Sequence, residues 1–237
     1  ADVYVRNAYD SSPREIESIK RQFSLHRALS ESGTVDAHDL ILSAGAVAGF
    51  TMPALECRAL SEVAGTLEPR GLLAVLRDTA FAIFGLHSLG YIHGDITSNN
   101  VWVSQGEVGP RGTLLDLGFS VPVGTRLITE IRGTPGHISP EARVGRPFWQ
   151  ATDAYSFGVM LDSCLAYCSD ISLREVLGQL ATKCSITAEE TRLSDFSVIY
   201  ATLVRIGRAT VDSRFPHSDY LLPLRKTGLV SITKSIR

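Results

Sequence analysis

The chain has 237 residues, 44% of them hydrophobic and 20% charged, with a formal net charge of −2. That is the composition of an ordinary globular protein, long enough to bury a substantial core as one large domain or as two lobes sharing a cleft. The charge gives no global reason to expect nucleic acid or an anionic membrane as partner. Cys57, Cys164, Cys168 and Cys184 show no metal-ligand spacing. Cys164 and Cys168 lie one helical turn apart on an apolar segment, which reads as buried free thiols in a reducing, intracellular compartment, cytoplasm or nucleus. The most apolar stretch, 40–55, is interrupted by Ser43, Gly45, Gly49, Thr51 and Pro53 and is too short for a membrane span. No signal peptide, internal repeat or low-complexity segment is visible in this sequence.

In chain order, Val3-Tyr4-Val5-Arg6 reads as a strand. Ser12-Pro13 then supplies a helix cap and a first-turn proline, and Glu15 and Glu17 suit the positive end of the helix dipole. Ile16, Ile19, Phe23 and Leu29 recur at helical spacing and form the buried face. Two apolar strands follow over 39–48 and 49–55. From 68 to 89 the pattern is helical again, with Leu72, Leu76, Ala80, Ile83 and Leu86 on one face as core.

The stretch 91–120 carries the chemistry. Tyr91-Ile92 leads into His93-Gly94-Asp95, Asn100 follows five positions after the aspartate, and Val101 and Val103 alternate as in a strand. A Gly/Pro-rich turn and a second apolar strand, Leu114-Leu115, end in Asp116-Leu117-Gly118. Two strands joined by that turn bring Asp95, Asn100 and Asp116 together at their mouths. Two acids and an amide suit Mg²⁺ held through hard oxygen ligands, beside a free carboxylate that orients a hydroxyl nucleophile. His93 reads as a packed structural histidine. Beyond it, 155–167 is nearly all apolar and so a buried helix, with Asp153 at its start. Helical segments at 172–184, 188–209 and 218–224 follow, and 225–237 reads as a solvated tail.

On these residues the sequence resembles the protein kinase family. His93-Gly94-Asp95 with Asn100 matches the catalytic loop His-Arg-Asp-x-x-x-x-Asn with glycine for arginine, and Asp116-Leu117-Gly118 matches Asp-Phe-Gly. The run 133–142 resembles the end of a kinase activation segment, with Ser139-Pro140-Glu141 for Ala-Pro-Glu. The run 153–158 resembles the start of the buried helix that supports the catalytic loop. The resemblance implies an α+β bilobal fold: a small β-rich N-lobe over 1–55, its first strands and Gly-rich loop missing from this sequence, and a larger helical C-lobe over 56–237.

It further implies ATP and Mg²⁺ as cofactors and a protein substrate or a regulated partner protein. Asp95 would orient the substrate hydroxyl, and Asn100 and Asp116 would ligate Mg²⁺. Arg6 stands where the family has a phosphate-binding lysine, with Gln22, or Glu17 on a shifted helix, in place of its glutamate partner; both Arg6 and Gln22 could instead be simply solvated. Met52 is the expected gatekeeper, with Pro53 after it, or an edge-strand proline, and Leu55 offering its N–H to adenine. Thr97 replaces a lysine that steadies the transferring phosphate. Gly94 lacks the donor fork that binds an activation-loop phosphate, so phosphorylation of Thr125 or Thr129 is not expected to be the on-switch. Thr134 is expected to contact Asp95, as in the serine/threonine branch, and Glu141 to pair with Arg214. Three functions remain open: a protein serine/threonine kinase, a pseudokinase acting as nucleotide-binding or scaffolding regulator, and a small-molecule kinase, against which the complete activation segment counts.

Overall fold

A computed structural model describes residues 3–8, 10, 12–127 and 133–211. The chain opens with a three-stranded antiparallel sheet of β1 (Val3–Asn7), β2 (Leu40–Ser43) and β3 (Ala46–Pro53), in the order β1-β3-β2. The hairpin turns at Ala44 (φ 49°) and Gly45 (φ 81°), two consecutive left-handed residues that match the twist of a tight turn. The expected boundary between 48 and 49 is therefore corrected: β3 runs through it. A register irregularity between Ile41 and Leu42 lets the pairing continue.

Between β1 and β2 lies α1 (Pro13–Ala28), which begins as the sequence predicts. The Ser12 hydroxyl accepts the Glu15 N–H at 3.2 Å, and Pro13 occupies the first turn. Its buried face, Ile19, Gln22, Leu25 and His26, packs on β3 with Phe23 and Phe50 rings 6.0 Å apart.

β4 (Cys57–Ala59) joins β6 (Val101–Gly106) and β7 (Gly109–Leu114) in a second antiparallel sheet, while β5 (Tyr91–Ile92) pairs with β8 (Val121–Pro122). Helices make up the remainder: α2 (Leu60–Val63), α3 (Pro69–Ser88), α4 (Pro140–Arg143), α5 (Gln150–Leu165), α6 (Ile171–Cys184) and α7 (Phe196–Val211). Leu76, Ile83, Ala154, Phe157, Leu177 and Ile199 are fully buried in the one large core that joins α3, α5, α6 and α7. The architecture is thus a small sheet-rich region followed by a larger helical one.

Two helix starts differ from expectation. α5 begins at Gln150, so Asp153 lies inside its first turn instead of ahead of it. α7 begins only at Phe196 because Asp195 accepts the Ser197 N–H at 2.9 Å and starts the helix there, leaving before it a short 3-10 turn, Glu189–Thr191, that leads into Arg192. The predicted helix at 218–224 and the tail at 225–237 lie outside the described residues. Cys164, Cys168 and Cys184 are buried free thiols, and burial pushes Cys164 up to about 11 and Cys184 to about 12. Among the described residues no helix is long and apolar enough to cross a membrane.

Candidate active site

The loop after β5 is fixed from beneath by a single carboxylate. Asp153, fully buried on α5, accepts the His93 N–H at Oδ2 (2.8 Å) and the Gly94 N–H at Oδ1 (2.9 Å). His87, at the end of α3, bonds the same Oδ2 through Nε2 at 2.8 Å. A buried carboxylate with three N–H donors is well satisfied, so this clamp holds the loop against the core. Gly94 has φ +81°, and a Cβ there would come within 3.2 Å of the Phe119 carbonyl oxygen. Glycine at the arginine position of the motif thus fits the local backbone as well as removing a charge.

His93 is fully buried and ties the two halves of the site together. Its Nδ1 accepts the Asp95 N–H at 3.2 Å, which leaves Nε2 to donate to the Leu115 carbonyl at 3.1 Å. The Leu115 N–H in turn donates to the Asn100 carbonyl at 2.9 Å. The residue before Asp116 is therefore bonded on both sides to the loop that carries Asp95.

Asp95, Asn100 and Asp116 come together as the sequence suggested. Asp95 is 8% exposed; its Oδ1 accepts the Thr134 N–H at 2.8 Å and its Oδ2 accepts Asn100 Nδ2 at 3.1 Å. Asn100 Nδ2 also donates to the Asp95 carbonyl at 2.8 Å, which leaves Oδ1 as the side-chain oxygen for another ligand. Asp116 is exposed, in the left-handed region (φ 57°, ψ 66°), and accepts the Gly118 N–H at 3.2 Å. Aspartate tolerates that conformation better than most side chains. Among the described residues no group of three His, Cys, Asp or Glu side chains is suited to hold a metal. Two hard oxygens, from Asn100 and Asp116, fit Mg²⁺, which is usually bound through one or two protein ligands with phosphate and water completing its shell.

Above the loop opens a cavity of about 490 Å³, within the range of small-molecule sites. Arg6, Gln22, Met52, Leu55, Asn100 and Asp116 all line it. Apolar walls come from Val35, Phe50 and Leu115. The expected hydrogen bond between Arg6 and Gln22 is not what forms. Arg6 Nη2 stands 3.5 Å from Glu15 Oε1, and Gln22 donates to the Ser18 hydroxyl at 3.1 Å. A guanidinium is drawn to a carboxylate in preference to a neutral amide, and Glu15 lies two turns before Gln22 on the same helix face. Glu17, the other expected partner, is exposed. At Thr97 the side chain is buried and its Oγ1 has no hydrogen-bond partner.

A family model for protein tyrosine and serine/threonine kinases matches residues 20–202, well over half of the chain. The chain belongs to the protein kinase family. It is 32% identical to the serine/threonine-protein kinase pkn2 of Myxococcus xanthus over 152 residues, 61% of this chain and 18% of that protein. Similarity to the serine/threonine-protein kinase PkaB of Streptomyces coelicolor is 33% over 141 residues, covering 56% of this chain and 32% of that one. With the serine/threonine-protein kinase PknA of Mycobacterium tuberculosis it is 26% over 168 residues, 66% and 38%. The chain spans less than two fifths of the length of each of these curated relatives.

Within this kinase domain Glu141 meets an arginine that the sequence did not single out. Glu141 is paired with Arg192, whose Nη2 lies 3.0 Å from Oε2 and whose Nη1 meets Oε1 at 2.5 Å. The predicted partner Arg214 lies outside the described residues, as does Thr129. Arg192 further donates to the carbonyls of Ile186, Ala151 and Thr187. Burial, the largest single influence, works against the ionised Glu141, but the hydrogen bonds from Arg192, its own backbone N–H and Ser139, with the Arg192 charge, together outweigh it and hold the carboxyl below its ordinary value. Thr125 is half-buried, and its hydroxyl donates to the Pro122 carbonyl at 2.6 Å. Sequence reading missed Glu15, His87 and Arg192. Glu15 had a signal, being the carboxylate two turns from Gln22, whereas Arg192 follows from nothing but the path of the segment after α6.

Proposed function

We propose that this kinase domain transfers the γ-phosphoryl group of ATP to a serine or threonine hydroxyl of a protein. The observation that carries the reading is the setting of Asp95. One of its oxygens is bonded to the Thr134 N–H and the other to Asn100, and the loop is tied through Leu115 to Asp116. Each carboxylate oxygen has two lone pairs, so each keeps an acceptor site for a substrate hydroxyl. Asp95 orients that hydroxyl and takes up its proton as the oxygen attacks in line. Asn100 Oδ1 and the Asp116 carboxylate are the Mg²⁺ ligands. ATP with Mg²⁺ supplies the transferable group and the cation that neutralises its oxygens. Met52 and Leu55 take the base end of the cavity, and Arg6 the α- and β-phosphates. The lobes divide at 55/56 in this reading, with the cavity at the junction.

A pseudokinase is the second reading. It is favoured by the uncharged Gln22 where the family has a glutamate and by Thr97, which offers a buried hydroxyl where a cation would stabilise developing charge. Labelled-phosphate transfer from ATP and Mg²⁺ to a generic protein substrate separates the two, with nucleotide-induced thermal shift recorded in the same samples. Asp95→Asn is expected to lower transfer by about 10² to 10⁴-fold while leaving the thermal shift. A thermal shift without any transfer by the unsubstituted protein would select the pseudokinase.

A further inference from the structure

We infer that Glu15 is the positioning residue for Arg6, an ion pair moved two helical turns toward the start of α1. This rests on the reading of Arg6 as a phosphate anchor. Arg6 borders two cavities, the 490 Å³ nucleotide cleft and a neighbouring one of about 720 Å³ beside α1. Glu15 and Arg14 line the second, and Gln22 and Asp116 line both. The two partners sit on β1 and on the first turn of α1, separate elements that a lone arginine on a strand edge would not hold together.

Three observations point to the pair as a built feature. The side chains of Arg6 and Glu15 are only 18% and 17% exposed at a separation of 3.5 Å, so solvent screens them far less than an ordinary surface pair. The Glu15 backbone is fixed by the Ser12 cap, and its carboxylate lies at the positive end of α1, where a negative charge is favoured. Gln22, buried and bonded to Ser18, is withdrawn from Arg6 and has no charge to offer. A guanidinium is a planar fork; Nη1 donates to the Asn7 carbonyl and Nη2 faces the Glu15 carboxylate, two contacts that set the plane of the fork beside the cleft. A lysine ammonium on a flexible stem would not be oriented in this way by one partner at this distance. Arginine at position 6 and glutamate at position 15 are thus matched to one another. Position 22 became free to take a neutral residue that packs against the Asp116-Leu117-Gly118 turn, where a Gly118 Cβ would lie 3.7 Å from Gln22 Nε2.

The test is a double-mutant cycle on the full chain, with ATP KM, kcat and melting temperature measured for the unsubstituted protein, Glu15→Gln, Arg6→Met and the double variant. Glu15→Gln is expected to raise ATP KM about tenfold with kcat and the protein-substrate KM little changed, and Glu15→Asp to fall between. In the Arg6→Met background Glu15→Gln should add nothing to ATP KM, because it acts through Arg6. Glu31→Gln, the same charge loss on an exposed residue that lines neither cavity, should leave ATP KM as it was. An unchanged ATP KM in Glu15→Gln, or an equal rise with and without Arg6, overturns the inference. If the unsubstituted protein transfers nothing, ATP binding constants replace KM in the same cycle. Should it not bind ATP at all, the kinase reading and this inference both fall, an outcome distinct from a silent Glu15 in a protein that binds.

Discussion

His26 shows what a single residue contributes beside the site. It is 3% exposed between α1 and β3, with Nδ1 donating to the Val35 carbonyl at 3.0 Å and its ring 5.7 Å from that of Phe50. Burial drives the imidazole down to about 4; the Val35 carbonyl opposes this, nearby His93 adds to it, and Asp116 and Asp36 oppose it. The folded protein therefore keeps His26 neutral at pH 5 to 6, where the unfolded chain, titrating near 6.5, takes up a proton. Stability from this group is complete above pH 6.5 and declines as pH falls toward 4, by about 3 kcal/mol in all. Urea unfolding at pH 7.5 and pH 4.5 should show a smaller loss on acidification for His26→Leu than for the unsubstituted protein, and equal losses would contradict the assignment. At this scale the sequence disclosed chemistry better than partnership. Asp95, Asn100 and Asp116 stood out because their types and order match two short motifs of the family. The partners of Arg6 and Glu141 depended on which helix turn or loop passed within reach, and spacing along the chain does not encode that.

Among the elements, those with local signals were legible. Ser12-Pro13 announced α1 and the Asp170 cap fixed α6 within a residue of its expected start, since Asp170 Oδ1 accepts the Leu173 N–H at 2.9 Å. The hairpin at Ala44-Gly45 was not read, because a run of small and apolar residues from 40 to 55 offers no contrast between strand and turn. α5 was recognised as buried from its apolar sequence, but not how closely α6 would approach it. A Cβ on Gly158 would lie 2.8 Å from both the Ala181 carbonyl oxygen and the Ser185 nitrogen. These are backbone atoms that cannot swing aside, so the two helices cross at a point only glycine allows. Gly158→Ala should cost about 1 to 3 kcal/mol and lower the melting temperature by several degrees. A melting temperature equal to that of the unsubstituted protein would mean that the helices can separate without penalty.

For the molecule as a whole, the two-part architecture was legible because apolar periodicity changes from strand-like to helical near the end of β3. How the parts meet was not, since it is settled by single buried polar groups such as Asp153, whose role shows only once α3, α5 and the loop after β5 are in place. One consequence concerns time. The amide protons of His93 and Gly94 end on a carboxylate embedded in the largest core, so water reaches them only when α5 leaves that core, an opening comparable with global unfolding. The Thr134 amide ends instead on Asp95 beside the open cleft. In native-state deuterium exchange, label should enter at Thr134 long before it enters at His93, and equal rates would refute this difference between the two amides. Asp95 would then stand still on the timescale over which the backbone at Thr134 opens and closes above it.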